Sequence, residues 1–136
     1  MAGAIQRGSA SPQSFSKAER LNSKKLMDEL FNKGSSFVLY PFRVYWMKHE
    51  QPVPSKVQVL ISVPKKNFPL AVHRNRIKRL MREAYRKNKL PLHDAVNGME
   101  KNIAIAFLFT DRKLPEYKTV EEKMSAVLNQ LSVAAK

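Results

Sequence analysis

Residues 71–89, AVHRNRIKRLMREAYRKNK, place Ile77, Leu80, Met81, Ala84 and Tyr85 within one arc of a helix at about 100° per residue. Good helix formers run from about Val72 to Lys89, and Pro91 ends them. A stripe this apolar must lie against another element, and the flanking sequence supplies strands. Upstream, Val57, Val59, Ile61 and Val63 alternate with Gln58, Leu60 and Ser62. Downstream, Ile103, Ile105, Phe107 and Phe109 share one face, and Ala104 and Ala106 give the other room for close packing. The helix therefore packs on a sheet and turns its other side outward.

The remaining elements fit around this unit. Asn22 or Ser23 caps a first helix that carries Leu26, Met27, Leu30 and Phe31 at helical spacing and stops at Gly34. FVLYPFRVYWMKH predicts an edge strand bent or started at Pro41, with Tyr45 and Met47 facing away from Val44 and Trp46. LPLHDAVNGM reads as a loop or a short turn of helix. Thr119 and Glu122 have the spacing of a capping box before a last helix with Val120, Met124, Val127, Leu128 and Leu131 inward. This order implies an α+β fold, a sandwich of helices on one sheet. Residues 1–18, rich in Gly, Ala, Ser and Gln, predict a disordered arm, leaving 19–136 as one domain.

The outward side of the long helix carries Arg74, Asn75, Arg76, Lys78, Arg79, Arg82 and Arg86, with Glu83 as its one acid. Ordinary solvated helices mix signs at i to i+4 spacing, and this one does not. The whole chain has 25 Lys and Arg against 11 Asp and Glu, a net charge of +14, which disfavours a compact state unless a polyanion neutralises it. Nucleic acid is the first partner to consider. An anionic membrane would call for a basic amphipathic helix with Trp on its apolar side, but Trp46 lies in a strand-like run. No apolar run approaches spanning length and the N-terminus lacks a signal-peptide core, so a cytoplasmic location is expected.

A helix-turn-helix reader of DNA is disfavoured, because a strand and a proline-containing loop precede the basic helix. Met27, Phe31 and Tyr45 offer either plain core packing or a surface on which unpaired bases stack. There is no cysteine to act as ligand or nucleophile. Asp28 and Glu29 diverge on a helix, Asp111 and Glu116 lie in a basic loop region, and Glu121 and Glu122 suit a helix N-terminus. His49, His73 and His93 lack ligand spacing. Nothing here resembles a protein-borne nuclease centre.

SVPKKNFPLAVHRNRIKRLMREAYR, Ser62 to Arg86, resembles the signature of the bacterial ribonuclease P protein subunit. In that family a strand ending in Ser-Val-x-Lys-Lys leads to Ala-Val-x-Arg-Asn-Arg-Ile-Lys-Arg and Leu-x-Arg-Glu on a helix. The similarity runs from about Arg20 to Leu131 and includes a helix ending in Phe-x-x-Gly, Phe31 to Gly34. The resemblance implies a two-layer α/β sandwich whose mixed central sheet has about four strands, with a left-handed βαβ crossover (ribosomal protein S5 domain 2-like). It implies an accessory subunit, one per catalytic RNA, that assists Mg²⁺-dependent removal of the 5′ leader from precursor tRNA, the metal being held mainly by RNA. Arg74, Asn75, Arg76, Lys78, Arg79, Arg82 and Arg86 would contact the catalytic RNA. Met27, Phe31 and Tyr45, with Lys65 and Lys66 beside them, would form the leader-binding cleft. Met27 stands where Phe is usual, and Leu70 where a polar residue is common. The alternative class is a structural, ribosomal-type RNA-binding protein without a part in tRNA processing.

Overall fold

The computed structural model describes residues 15–135. Four strands, β1 (Ser35–Leu39), β2 (Phe42–His49), β3 (Val57–Ser62) and β4 (Asn102–Phe109), form one sheet in the order β1-β2-β4-β3. β1 with β2 and β2 with β4 are antiparallel, whereas β3 and β4 are parallel, so the sheet is mixed. Parallel neighbours need a crossover. Here it is made by α2 (Ala71–Asn88) and α3 (Leu90–Asn97), which follow α1 (Lys24–Lys33) in the chain and precede α4 (Tyr117–Ala135).

The period of two in each strand decides which helix lies on which face. Val44, Val57, Val59, Ile103, Ile105, Phe107 and Phe109 form one buried cluster with Ile77, Met81 and Tyr85 of α2, Leu92 and Val96 of α3, and Val120, Met124 and Val127 of α4. On the other face α1 alone packs, seating Leu26 and Leu30 on Ala104 and Ala106. Both leucines are fully buried, a contribution of roughly 2 kcal/mol each. The alanines are what let α1 approach, because larger side chains in the central strand would hold it off.

Ser23 caps α1, its Oγ accepting from the Leu26 N–H at 3.3 Å. Gly34 ends that helix with φ −72°, an ordinary backbone angle, so its glycine serves a close approach. A Cβ there would lie 2.4 Å from the Leu30 carbonyl oxygen and 3.0 Å from that of Trp46.

Three expectations change. The run expected as one edge strand bent or started at Pro41 is a hairpin: β1 ends at Leu39, the chain turns at the cis Tyr40–Pro41 bond, and a second strand, β2, starts at Phe42 and returns between β1 and β4. Of the two hairpin strands only β1 is an edge, because β2 pairs with β4 on its other side; the Pro41 carbonyl accepts from the Thr110 N–H at 2.8 Å and fixes the turn beside β4. Thr119 is not a cap: α4 already starts at Tyr117, with the Val120 N–H donating to Glu116 O, and the Tyr117 ring packs on the core. The segment 90–97 is a full two-turn helix with Pro91 in its first turn, where a missing N–H costs nothing.

Of the expected arm, residues 1–14 lie outside the described residues. Residues 15–18 join the fold: the Phe15 ring meets Tyr85 edge-on at 5.5 Å, and the Ala18 carbonyl accepts from Gln58 Nε2. Glu19 Oε1 accepts from Lys89 Nζ at 2.7 Å, and Oε2 accepts from the Ser16 N–H and Oγ. That pair is buried, the side chains being 8% and 3% exposed, and it ties the N-terminal segment to the end of α2.

Candidate nucleic-acid interface

Along α2 the apolar stripe is spent on the sheet, which leaves the cations on the outer side. They are not equivalent. Arg86 is paired with Glu83 at 2.6 Å, which holds the Glu83 carboxyl below its usual range and raises the Arg86 guanidinium. Lys87 lies 3.9 Å from the same carboxylate and over the Tyr117 ring. In the last turn two cations thus share one carboxylate. Asn75, Arg76 and Arg79 are exposed and Lys78 half-buried, and none of these three cations has a carboxylate partner among the described residues. Arg82 likewise pairs with no acid, and partial burial followed by the charge of Arg20 lowers its pKa.

Arg74 behaves differently from the others. Its Nη1 donates to the carbonyls of Phe68 and Pro69, both at 2.8 Å, and so closes the loop that leads into α2. Leu70 occupies the cap position without a side-chain bond, and the first turn holds no acid. The start of the helix is therefore electropositive from both its dipole and its side chains.

The second cluster lies on the α1 face. Met27 and Tyr45 belong to the packing around Leu26 and Leu30, and Phe31, one turn after Met27, is 41% exposed. The Phe31 and Tyr45 rings meet edge to face at 4.9 Å and 70°. These residues pack on the core and leave aromatic surface open. Arg43, two residues before Tyr45 and so on the same face, sets its guanidinium 6.0 Å from the Tyr45 ring centre. Sequence reasoning missed Arg43, although its period of two with Tyr45 and Met47 was visible. The next row across the sheet, Val38, Arg43, Leu108 and Ser62, carries the trough beyond the end of α1.

Lys65 and Lys66 are exposed in the turn after β3, where the N–H groups of Asn67 and Phe68 donate to Pro64 O. Buried Phe68 anchors that turn against Phe109. The two lysines follow Ser62 at the end of that trough, without contact to the Phe31–Tyr45 pair. Two surfaces result: a cationic helix face, and an aromatic trough bordered by Arg43, Lys65 and Lys66. Phosphate neutralisation and base stacking are what such surfaces can do.

The family model described as Ribonuclease P matches residues 15–132. A ribonuclease P protein component of Porphyromonas gingivalis is 40% identical over 124 residues, covering 90% of either chain. One from Chlorobium phaeobacteroides is 32% identical, covering 89% of this chain and 90% of its own. The solved ribonuclease P protein of Thermotoga maritima superposes with a TM-score of 0.63 at 25% identity, over 82% of this chain and 96% of the other. A mixed four-stranded sheet with these helices, an acid-poor basic helix and the match over nearly the whole described chain lead to one conclusion: the chain belongs to the ribonuclease P protein family.

Proposed function

We propose that the chain binds the catalytic RNA of ribonuclease P through α2 and the 5′ leader of precursor tRNA through the trough beside α1, and so assists endonucleolytic release of mature tRNA 5′ ends. The observation that carries this is the run Arg76, Lys78, Arg79 and Arg82, cationic and without internal carboxylate partners. Each phosphate such a cation meets releases condensed counterions, which drives association at low salt. Arg74 contributes by holding the loop from which Lys65 and Lys66 project, and Arg86 by a charge already shared with Glu83.

The reading makes the protein an accessory subunit of a cytoplasmic ribonucleoprotein, one copy per catalytic RNA. Hydrolysis of the phosphodiester bond is assigned to the RNA, with Mg²⁺ held there. Among the described residues no group of three or more His, Asp or Glu is placed to hold a metal ion. The protein's part is positional: Phe31, Tyr45 and Met27 receive leader bases, while Arg43, Lys65 and Lys66 neutralise leader phosphates. Holding the leader on one side and the catalytic RNA on the other fixes the scissile bond between them.

The test is cleavage of a precursor tRNA by a bacterial ribonuclease P RNA at low Mg²⁺, with and without the protein, with mature tRNA as competitor. Strong stimulation together with preference for leader-bearing tRNA is expected. RNA binding without stimulation would overturn the assignment.

A further inference from the structure

At the β3 edge of the sheet the chain assembles a third feature. A pocket of about 180 Å³ lies between the N-terminal segment, β3 and α2, with Arg20 and Arg82 in its wall and Phe15, Val59 and Ile61 among its apolar lining. Leu60 and Ile61 point to opposite faces of β3, so the pocket wraps the edge from the α1 side to the α2 side. We infer that Arg20 and Arg82 together take one phosphodiester group of the bound RNA in this pocket. The inference rests on the reading of the chain as an RNA-binding subunit and adds a site to it.

The Arg20 guanidinium is anchored beside Phe15, and Arg82 stands exposed on the outer side of α2. The backbone of Arg20 bridges to Val59, the next N–H, of Leu21, donates to Val59 O at 2.9 Å, and the guanidinium carbon of Arg20 lies 5.4 Å from the Phe15 ring centre. Arg82 projects from the fourth turn of a helix whose opposite side is buried. The acids beside them in sequence are turned elsewhere: Glu19 is taken by Lys89 and Ser16, and Glu83 by Arg86. Two cations thus line one pocket with no carboxylate partner among the described residues, and desolvation, followed by the charge of Arg20, lowers the Arg82 pKa.

An outside anion resolves that repulsion. Residues 1–14 contain neither Asp nor Glu, so the preceding segment cannot supply it. The pocket is smaller than the ~300 Å³ at which sites for whole ligands begin, which suits a phosphate better than an entire nucleotide. Two planar guanidinium forks match the oxygens of one phosphate.

The experiment measures binding of the full chain to ribonuclease P RNA across a salt series, using Arg20→Gln, Arg82→Gln, the double variant and Arg82→Lys. Each Gln variant should weaken binding about tenfold at low salt, as expected for a charge-assisted bond. Because one phosphate is shared, the double variant should lose little more than either single one, and its salt slope should fall by about 0.7 to 0.9, one phosphate's worth. Arg82→Lys keeps the charge and fold but loses the fork, and should weaken binding by an intermediate factor. Unchanged affinity in all four variants, or losses that multiply in the double variant, would overturn the shared site. Normal binding by an Arg76→Glu/Arg79→Glu variant would instead refute the RNA reading of α2, so the two failures stay distinct.

Discussion

The Phe31 ring on α1 stands edge to face against the Tyr45 ring on β2, 4.9 Å between centres, and Phe31 keeps 41% of its surface exposed. An aromatic pair that packs yet stays open is suited to receive a base. Phe31→Ala and Tyr45→Ala should each cost about 1 to 3 kcal/mol of affinity for leader-bearing precursor tRNA and leave mature tRNA binding unchanged. The double variant should cost less than the sum, since either change also removes the partner's neighbour. Equal losses for precursor and mature tRNA in a competition assay would remove the leader from the trough.

Charge reversal at Arg76 and Arg79 touches exposed cations that have no carboxylate partner among the described residues. The pair should weaken binding to the catalytic RNA and lower the salt slope by about 1.4 to 1.8, two phosphates' worth. Arg74→Ala should do something else as well: it frees the Phe68 and Pro69 carbonyls and loosens the loop carrying Lys65 and Lys66. Filter binding between low and high salt separates the two behaviours, since an unchanged salt slope in the reversal variant would exonerate α2.

Gly34→Ala puts a Cβ where the Leu30 and Trp46 carbonyl oxygens already sit. Backbone cannot yield as a flexible side chain does, so α1 must shift, at an expected cost of about 1 to 3 kcal/mol. Since α1 carries Phe31, the same substitution should also reduce leader binding. Urea unfolding and precursor binding together check this, and an unaltered midpoint would contradict the close approach.

Glu19→Gln removes the carboxylate that faces buried Lys89 and should destabilise the fold by about 3 kcal/mol. Glu19→Gln with Lys89→Met should recover part of that loss. A thermal melt that barely moves in the single variant would mean that the pair is not a clamp.

His93 sits within this network, its Nε2 2.9 Å from the Tyr85 hydroxyl and 3.5 Å from Glu19. Burial, then the Lys89 charge, push its pKa below the ordinary 6.5. The unfolded chain therefore binds more protons than the folded one below about pH 6.5, and stability should fall as pH drops through that value. His49, also lowered by burial, adds to the same trend. Denaturation midpoints at pH 7.5 and about 5.5 should differ more in the wild type than in His93→Gln. Equal differences would acquit His93.

Much of the site lay open in the sequence because it depends on local spacing. The period of α2 separates Ile77, Met81 and Tyr85 from Arg76 and Arg79, and alternation in β4 sets Ile103 and Phe107 against Ala104 and Ala106. Those patterns follow from bond geometry within one element, and they name the faces without knowing their neighbours. The hairpin at Tyr40–Pro41 was not legible, since a proline inside an aromatic run fits a bend as well as a turn until β4 pairs with β2. Nor was the early start of α4, which the packing of Tyr117 on the core favours over the Thr119 cap.

The sequence by itself determined that this chain presents a cationic helix over a sheet, a face suited to a polyanion, because charge and periodicity are properties of the residues alone. Tertiary structure decided which cations remain available. Glu83 claims Arg86, the Phe68 and Pro69 carbonyls claim Arg74, and Glu19, seventy residues from Lys89, is drawn off to it and leaves Arg20 facing Arg82. Such pairings join residues distant in the chain or at positions several local arrangements could satisfy, and only the folded geometry chooses among them.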